Sequence, residues 1–466
     1  PPPPPPLQLI NGREARPEPG RASSSFRSRT GGKDEHTMFE ALRHRGFVVF
    51  LTGAFLTNTG GWFQSLAVPF VLFQITGSAA WVGLATAAQF VPIMVLGPYA
   101  GALADRVDRR LLVLWMQLMR SLVALAICVC WLAEWHSPWL LLTLAVLTGI
   151  AQGVSMPSWQ ALTNDYAPRG SLASAASLNT IQFNLARSFG PAVAGVVLFW
   201  WGPAVAFAVT FVMVLSVVVA LIVAKPVNAP APAARGSRKS GRFVEGLRYT
   251  RSTPGVLTAM TVVLVTGTLG MPIFQHVITF SEDVFDSGEL GLAALNLGLG
   301  IGTMAGIPLL GRALRRVGRS TVALVAFIGF GITLALFAIA PTTATATAAT
   351  VGVGVFFLLA LTIGQSTVQV LVADHIRGRV LSVSVMVYTG SVALGAALQG
   401  AVADLIGLRS TVGFAALLLV VAAVVLRFGP RGLRLSRLDD PAEIVPVPST
   451  PVPERTPVAE RTTSDV

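Results

Sequence analysis

Twelve apolar stretches follow one another along this chain of 466 residues, and each has close to the length of a membrane span. A helix that crosses a bilayer needs about 20 predominantly apolar residues. Charged residues make up only 12% of the chain, against about 25% in soluble proteins. The sequence therefore predicts an all-α polytopic membrane protein with twelve transmembrane helices. The predicted spans are 47–75, 80–104, 111–133, 139–162, 175–200, 203–224, 254–280, 290–310, 321–340, 345–371, 380–403 and 411–428.

Composition divides the chain into five parts. Residues 1–37 begin with six prolines and continue with Arg, Ser and Gly, a composition that cannot bury enough apolar surface to fold. We expect a disordered extension there, followed by a six-helix bundle over 38–224. Residues 225–253, with many Pro, Ala and basic residues, predict a solvated cytoplasmic linker. A second six-helix bundle is expected over 254–429 and a disordered cytoplasmic tail over 430–466.

A turn dense in charge lies between the second and third predicted spans. It cannot lie in hydrocarbon, and its excess of arginine places it on the cytoplasmic side. The first five loops assigned to the opposite side contain no Lys or Arg, and Arg409 in the sixth is the exception. The basic residues that give the net charge of +12 therefore fix the orientation of the spans and do not indicate nucleic-acid binding. Both termini are expected in the cytoplasm of a bacterium, with the spans in its cytoplasmic membrane. The charges of the turn are Asp105, Arg106, Asp108, Arg109 and Arg110.

The two halves of the chain repeat each other in three places. The segment 311–319, GRALRRVGR, aligns with 101–109, GALADRVDR. An aspartate followed by Arg-Gly occurs at 165–170 and again at 374–378. Two glycines five residues apart occur at 190 and 195, and again at 395 and 400. Internal repetition of this kind is typical of transporters built from related bundles.

The turn 101–110 resembles the G-x-L-a-D-R-x-x-R-R signature of the major facilitator superfamily, departing from it at Asp108, where the superfamily more often has glycine. Gly190, Pro191 and Gly195 resemble the G-P-x-x-x-G element in the fifth helix of superfamily exporters. Residues 40–429 are similar to the branch that contains the enterobactin exporter and drug-efflux proteins. The resemblance implies two pseudo-symmetric six-helix bundles, a central cavity open alternately to each side, and export of small amphipathic molecules such as drugs, siderophores or metabolites. Uptake or lysophospholipid flipping by the same fold is the alternative.

The resemblance also implies a conformational latch. In the family the loop aspartate packs at the start of the eleventh helix, and a loop arginine pairs with an acid after the fourth. Here Asp105 would meet the helix that starts near residue 380, and Arg109 or Arg110 would pair with Asp165. Such a latch favours the outward-open state. The alternative is that these charges only orient the chain in the membrane. The remaining latch candidates are Gly101, Arg106 and Arg377.

Two arginines fall near the middle of predicted spans, where insertion scales give a cost of at least ~2.5 kcal/mol. Arg187 either faces the cavity and binds an anionic or hydrogen-bonding part of the substrate, or braces the first bundle through groups such as Asn58. For Arg120 we favour bracing, because the resemblance places the third helix outside the cavity. Other polar residues are cavity candidates, with helix packing as the alternative for each. They are Asn58, Gln64, Trp159, Gln182, Asn184, Gln365, Gln369 and Tyr388.

The coupling ion has one candidate residue. No Asp or Glu lies deep in a predicted span, whereas His276 lies near the outer end of the seventh. Imidazole titrates near neutral pH, so His276 could carry a proton, and the alternative is a hydrogen-bonded packing residue. The sequence predicts no metal site, cofactor or enzymatic activity, because it has no phosphate loop, nucleophile elbow or zinc motif. We expect a monomer whose partners are a small-molecule substrate, the bilayer and protons. A polytopic enzyme, or a sensor without transport, is the competing class.

Overall fold

The computed structural model describes residues 40–104, 106–167, 171–226, 240–429 and 431–439. Throughout these ranges the regular elements are helices, and no strand occurs. The apolar stretches form helices because backbone N–H and C=O groups in hydrocarbon must be satisfied within their own segment. The all-α fold predicted from the sequence is confirmed.

The first half of the chain forms six long helices. They are α1 (Arg45–Thr76), α2 (Ala79–Ala104), α3 (Arg109–Leu132), α4 (Pro138–Tyr166), α5 (172–201) and α6 (203–223). The last two form one hydrogen-bonded stretch that is broken at Gly202, where φ is 74°. Glycine adopts this backbone conformation without steric cost, and Pro203 begins α6 at a position where the missing N–H is tolerated.

The second half repeats this arrangement. Its helices are α7 (Pro254–Val284), α8 (Gly288–Arg316), α9 (Arg319–Ala338), α10 (Thr343–Leu371), α11 (Asp374–Ile406) and α12 (Leu408–Phe428). Helix α7 contains two π-helical turns, Thr266–Gly270 and Phe280–Val284. In a π turn one residue is inserted into the helical hydrogen-bond pattern, and such turns often occur at functional sites.

Ten stretches of the described chain are long and apolar enough to cross a membrane. The stretch Ser174–Val223 contains both α5 and α6, which raises the number to eleven. Helix α1, with 32 residues, is the twelfth. Its glycines and its Asn, Thr and Gln side chains lower its hydropathy, although its length exceeds that of a span. The predicted set of twelve helices in two six-helix bundles therefore holds.

The two bundles meet at one end of the molecule. We call the end that carries residues 77–78, 133–137, 202, 285–287, 339–342 and 407 the closed end. There α2 packs on α11, and α5 packs on α8. The open end carries residues 106–108, 167, 171, 224–226, 317–318 and 372–373. Contacts between the bundles among the described residues run from the middle of the membrane to the closed end.

The segment between the bundles differs from the solvated linker expected over 225–253. Ser240–Ser252 forms an amphipathic helix in which Tyr249 and Thr250 are buried. Glu245 forms an ion pair of 2.5 Å with Arg379, near the start of α11. Glycine at 246 permits the close approach, because a Cβ there would lie 2.9 Å from the carbonyl oxygen of Arg379. The second half of this segment is therefore docked on the C-terminal bundle, while residues 227–239 lie outside the described chain.

The segment after α12 also departs from the disorder expected from residue 430. Two 3-10 turns, Arg431–Leu433 and Leu435–Asp439, pack beneath α7 and α9. Leu435 and Leu438 are fully buried. The carboxylate of Asp439 accepts a hydrogen bond of 2.6 Å from the backbone nitrogen of Arg319 and so caps the start of α9. Two apolar anchors and one helix cap hold this short segment in place despite its basic composition. The disorder expected for 1–37 and 440–466 concerns residues outside the described chain.

Candidate functional site: the seam between the bundles

The seam between α2 and α11 is formed by small residues. A Cβ at Gly400 would lie 2.6 Å from the carbonyl oxygen of Ala79, and one at Gly83 would overlap the backbone of Ala396. Such residues let helix backbones approach closely in a membrane. Beside them the carboxylate of Asp404 accepts hydrogen bonds from Ser78, Ala79 and Ala80 at the start of α2. The closed end is therefore held by packing and by one charged cap that crosses between the bundles.

The seam between α5 and α8 has the same design. A Cβ at Gly195 would lie 3.0 Å from the Cα of Ala293, so the two helices touch at this glycine. Deeper in the membrane the hydroxyls of Ser188 and Thr303 are 3.0 Å apart. These contacts, like those between α2 and α11, lie on the closed side of the membrane centre.

The repeated glycine pairs occupy equivalent places in the two bundles. Gly190 lies against Trp62 of α1 and Gly395 against Thr268 of α7, so each first glycine packs on a helix of its own bundle. The second glycine of each pair, at 195 or 400, packs on the opposite bundle. Pro191 lies within α5 directly after the first glycine. The predicted helix-packing motif thus lies at the seam, and its repeat follows the pseudo-symmetry of the fold.

Toward the open end the bundles separate. Tyr99 on α2 is 71% exposed, and a Cβ built on Gly97 or Gly101 would have no described atom within 4 Å. Gly378, near the start of α11, is equally open toward the described residues. Helix α8 is largely buried over residues 291–306 and exposed on most of its surface from Ile307 onward. The surfaces of α2 and α8 that pack on the opposite bundle at the closed end are therefore not covered by described residues toward the open end. We refer to the space beside them, from the open end to the middle of the membrane, as the cleft.

One cavity candidate lies where this cleft ends. Arg187 on α5 points between the bundles, with its guanidinium carbon 5.9 Å from the ring centre of Trp62 and 5.1 Å from that of Phe357. Tyr388 on α11 lies close enough to interact with it electrostatically. Asn58, the bracing partner considered from the sequence, instead donates a 3.2 Å hydrogen bond to Gln182. The side chain of Arg187 is therefore directed at the seam and not at that amide.

Three more candidates lie on α5 and α1 near the cleft. Gln182 is buried, and besides accepting from Asn58 it donates a 3.0 Å hydrogen bond to Asn179. Asn184 is partly exposed and donates only to the carbonyl oxygen of Thr180, in its own helix. The amides of Asn58 and Gln182 therefore join α1 to α5. The amide of Asn184 stays partly exposed beside the cleft.

Two candidates lie inside the first bundle. Gln64 on α1 is buried and donates a 3.1 Å hydrogen bond to Thr148 on α4. Trp159 on α4 packs on Phe50, with ring centres 5.7 Å apart, and Phe50 in turn stacks on Tyr166. Both candidates thus connect α1 with α4.

In the C-terminal bundle, Gln365 is partly exposed and Gln369 is exposed on α10.

The other arginine within a span lies between α3 and α1. Arg120 is 6% exposed and donates a 2.9 Å hydrogen bond to Gln117 in its own helix. Its guanidinium covers Gly61, where a Cβ would be 3.0 Å from Nη2. A side chain at position 61 would displace this guanidinium. Gly61 therefore leaves the space that the buried charge of Arg120 occupies.

The latch residues are partly described. Asp105 lies outside the described chain, and Arg106 is exposed. Arg109 lies near enough to Asp165 for their charges to interact. Arg110 donates to carbonyl oxygens at the end of α6, including a 3.0 Å bond from Nε to Leu221. This places a positive charge at the negative end of that helix dipole. Among the remaining candidates, Arg377 donates a 3.4 Å bond to the carbonyl oxygen of Val372.

The residue that departs from the family signature has a structural role. Asp108 caps α3, accepting hydrogen bonds of 2.8 and 3.1 Å from the backbone nitrogens of Arg110 and Leu111. Aspartate is a preferred N-cap because its carboxylate satisfies N–H groups that lack a helical partner. An aspartate directly before a helical segment was the sequence signal for this cap.

His276 lies within a hydrogen-bond network that sequence reasoning missed. It is 4% exposed, and its Nε2 is 3.3 Å from Oε1 of Gln399 on α11. The Gln399 amide nitrogen donates to the carbonyl oxygens of Thr268, at 2.7 Å, and Leu269. Since the nitrogen of this amide is occupied by two acceptors, its oxygen faces the histidine, and Nε2 must carry a hydrogen. Both carbonyls belong to the first π turn of α7, whose irregular backbone frees acceptors for such contacts.

This architecture defines the class of the protein. Two six-helix bundles, joined by a seam that is closed at one end and open to the middle of the membrane at the other, form a membrane transporter. Residues 36–452 match the major facilitator family described as "Transmembrane secretion effector", and the chain belongs to that family. The family membership inferred from the charged turn and the G-P-x-x-x-G element is thereby confirmed. The chain is a multi-pass membrane protein of a transporter family and not an enzyme.

Similar proteins cover most of the chain. The staphyloferrin A transporter of Staphylococcus aureus is 25% identical over 393 residues, covering 83% of this chain and 96% of that protein. The multidrug efflux pump Tap of Mycolicibacterium fortuitum is 27% identical over 394 residues, covering 82% and 95%. Macrolide efflux protein A of Streptococcus pyogenes is 22% identical over 366 residues, covering 77% and 90%.

Solved structures share the fold. The nucleoside transporter NupG superposes with a TM-score of 0.63 at 17% identity, covering 82% of this chain and 98% of that one. A bacterial homologue of the human lysosomal transporter Spinster, in an inward-facing and unoccupied conformation, superposes with a TM-score of 0.64 at 16% identity, covering 85% and 98%.

Proposed function

We propose that this protein is a secondary transporter that exports small amphipathic molecules across the bacterial cytoplasmic membrane by alternating access. The observation that carries the proposal is the shape of the seam, which is packed from the membrane centre to the closed end and separated toward the open end. A cleft that ends halfway across the membrane gives a solute access from one side only. Rocking the two bundles about their contact would expose it to the other side.

Charge supports the sidedness of this proposal. The open end carries Arg106, Arg109 and Arg110 after α2, and Arg312, Arg315 and Arg316 at the end of α8. The closed end is acidic, with Glu134, Glu282, Asp283, Asp286, Glu289 and Asp404, and Arg409 is its exception. By the positive-inside rule the open end faces the cytoplasm. The cleft then admits substrate from the cytoplasm, as the loading state of an exporter must.

The relatives support the substrate class. Two of the three named above are efflux proteins, for multiple drugs and for macrolides, and the third is a transporter of staphyloferrin A. Polar side chains around a largely apolar cleft suit substrates with both an apolar body and hydrogen-bonding groups. We assign Asn58, Asn184, Gln365, Gln369 and Tyr388 to the lining of this cleft in one or both of its states.

We further propose that the turn after α2 forms the latch of the opposite state. When the open end closes, Asp105 would meet the N-terminal end of α11, where a carboxylate is stabilised by the helix dipole. Gly378 lies near that end, and a Cβ there has open space in the present state. The charge of Arg109 would remain near Asp165 within the first bundle, so that it holds the turn in position.

Proton coupling through His276 is the mechanism we propose for energy input. The histidine is shielded from solvent on the closed side of the seam, and it would gain access to water when that side opens. Imidazole is the side chain that exchanges protons near neutral pH. Its bond to Gln399 also suits a packing role, and the gradient experiment below separates the two.

The test is transport in proteoliposomes with an imposed pH gradient. Inside-out vesicles should accumulate a compound from a panel of macrolides, dyes and siderophores when their lumen is acidic, and protein-free vesicles should not. Movement only in the opposite direction would assign uptake, and movement of lysophospholipid alone would assign lipid flipping. If no compound moves in either direction, transport is excluded. In His276→Gln the gradient should lose its effect while exchange without a gradient persists; gradient-driven transport in this variant contradicts coupling through His276.

A further inference from the structure

Arg187 is a buried cation without a counter-ion in the described chain. Its Nε and Nη2 atoms are shielded from solvent and have no hydrogen-bond partner there, although the side chain as a whole is partly exposed. Every described Asp or Glu within the twelve helices lies within two residues of a helix end. The positive charge therefore lies near the centre of the membrane, far from the acids of either end.

The protein contacts of Arg187 leave its charge unneutralised. The faces of Trp62 and Phe357 attract the guanidinium through their ring quadrupoles, but this attraction does not replace hydrogen bonds to its N–H groups. The N–H groups of Nε and Nη2 lose their hydration without gaining a partner, and a charged arginine at this depth in the membrane is itself unfavourable. An anion that accepts two parallel N–H hydrogen bonds would neutralise the charge and satisfy these donors, which the aromatic rings cannot do.

The position of Arg187 makes it accessible to a ligand in the cleft. The next residue, Ser188, contacts Thr303 across the seam, so Arg187 lies at the last turn before the bundles separate. Trp62 on α1, Phe357 on α10 and Tyr388 on α11 surround it from both bundles. A ligand held here would touch both halves, and its binding would depend on their relative position.

We propose that Arg187 binds the anionic group of the transported molecule, which makes the substrates amphipathic organic anions with an aromatic or aliphatic body. A carboxylate, sulfonate or phosphate would pair with the guanidinium fork. The apolar body would lie along Trp62 and Phe357. This inference rests on the proposed transport function, since it assigns a substrate class to the same cleft.

The experiment measures binding and does not require turnover. The full-length protein is reconstituted in phosphatidylcholine vesicles, and energy transfer from tryptophan reports binding of 1-pyrenebutyrate and of its neutral analogue 1-pyrenebutanamide. We expect Arg187→Gln to weaken binding of the acid by about ten- to a hundredfold, as loss of a charged hydrogen-bond pair predicts. Binding of the amide should stay unchanged. Arg187→Lys should restore part of the affinity, because it keeps the charge but loses the planar fork.

Arg427→Gln is the matched control, since it removes another arginine that lies over an aromatic ring, that of Phe428, at the exposed end of α12. It should leave binding of both probes unchanged. The inference is overturned if the acid binds equally to the unaltered protein and to Arg187→Gln, or if the amide loses affinity in parallel. If phosphatidylglycerol in the vesicles abolishes the difference, the site belongs to a lipid headgroup and the substrate assignment is wrong. Failure of the transport function is distinguishable, because proteoliposomes with the unaltered protein would then take up 1-pyrenebutyrate no faster than protein-free vesicles do.

Discussion

The carboxylate of Asp404 at the end of α11 lies 2.8 Å from the backbone nitrogen of Ala79 at the start of α2, and it also binds Ser78 and Ala80. A carboxylate at a helix N-terminus satisfies free N–H groups and lies at the positive end of the helix dipole. Because the two helices belong to different bundles, the contact exists only while the closed end is closed. It is the counterpart, at the opposite face, of the latch proposed for Asp105.

Asp404→Asn should open the closed end more often. Loss of the charge at this cap costs about 1–2 kcal/mol, which changes the ratio of the two states roughly five- to thirtyfold. Spin labels at Trp135 and Leu405, both exposed at the closed end, should report a longer distance by pulsed electron resonance in a background without Cys128 and Cys130. Asp286→Asn, which removes another exposed acid of the same end, should leave the distance unchanged. Equal distances in all three proteins would show that the cap is not a latch.

Asp105→Asn should have the opposite effect. If the carboxylate holds α11 in the outward-open state, its removal leaves the present state more populated and shortens the mean distance between the two closed-end labels. Labels at Tyr99 and Arg316 should at the same time report wider separation at the open end. Asp108→Asn is a useful control, because an asparagine still caps α3. If Asp105→Asn does not change the distance distribution, the charges of the turn after α2 only orient the chain in the membrane.

Gly195→Val should block closure at the closed end. The added Cβ would meet the backbone of Ala293 at 3.0 Å, and backbone cannot move aside as a flexible side chain can. We expect folded protein that has lost transport and has an enlarged closed end in the same labelling assay. Gly413→Val on α12, where a Cβ meets no described atom within 4 Å, should transport normally. Normal transport by Gly195→Val would show that close approach of α5 and α8 is dispensable.

Gly61→Val should destabilise the first bundle by displacing the guanidinium of Arg120. Overpacking of this kind costs about 1–3 kcal/mol, so the apparent Tm of the detergent-solubilised protein should fall. Combined with Arg120→Ala, the glycine substitution should cost less than it does alone, because the displaced group is absent. Additive losses in the double variant would mean that the two positions do not interact.

Gln399→Leu should destabilise the protein more than His276→Phe does. The glutamine change leaves the carbonyls of Thr268 and Leu269 and one imidazole N–H unpaired, at about 1–3 kcal/mol for each group. The histidine change leaves only one amide oxygen unpaired. Apparent Tm values measured without a pH gradient separate this structural role from coupling. The reverse order of stability would contradict the role of Gln399 in holding the π turn.

The spans and the family could be predicted from the sequence because hydropathy and short charged loop motifs are local features of the chain. The glycine pairs at 190 and 195 and at 395 and 400 could also be identified, because a repeat is visible in the sequence without knowing which helices pack together. Sequence reasoning missed the helix Ser240–Ser252 and the buried turn around Leu435. Their short apolar anchors lie within basic segments whose average composition indicated solvent exposure.

Only the tertiary structure decided which polar residues share a site. Gln64 and Arg187 were equal candidates in the sequence, yet one bonds to Thr148 inside a bundle and the other faces the seam. A helix presents side chains in all directions, so the function of each depends on which helix packs beside it. Asp404 and Ala79 are 325 positions apart and meet only when two bundles close. The sequence by itself determined which segments cross the membrane, and the packing of the two halves determined which polar residues face the seam and which end is shut.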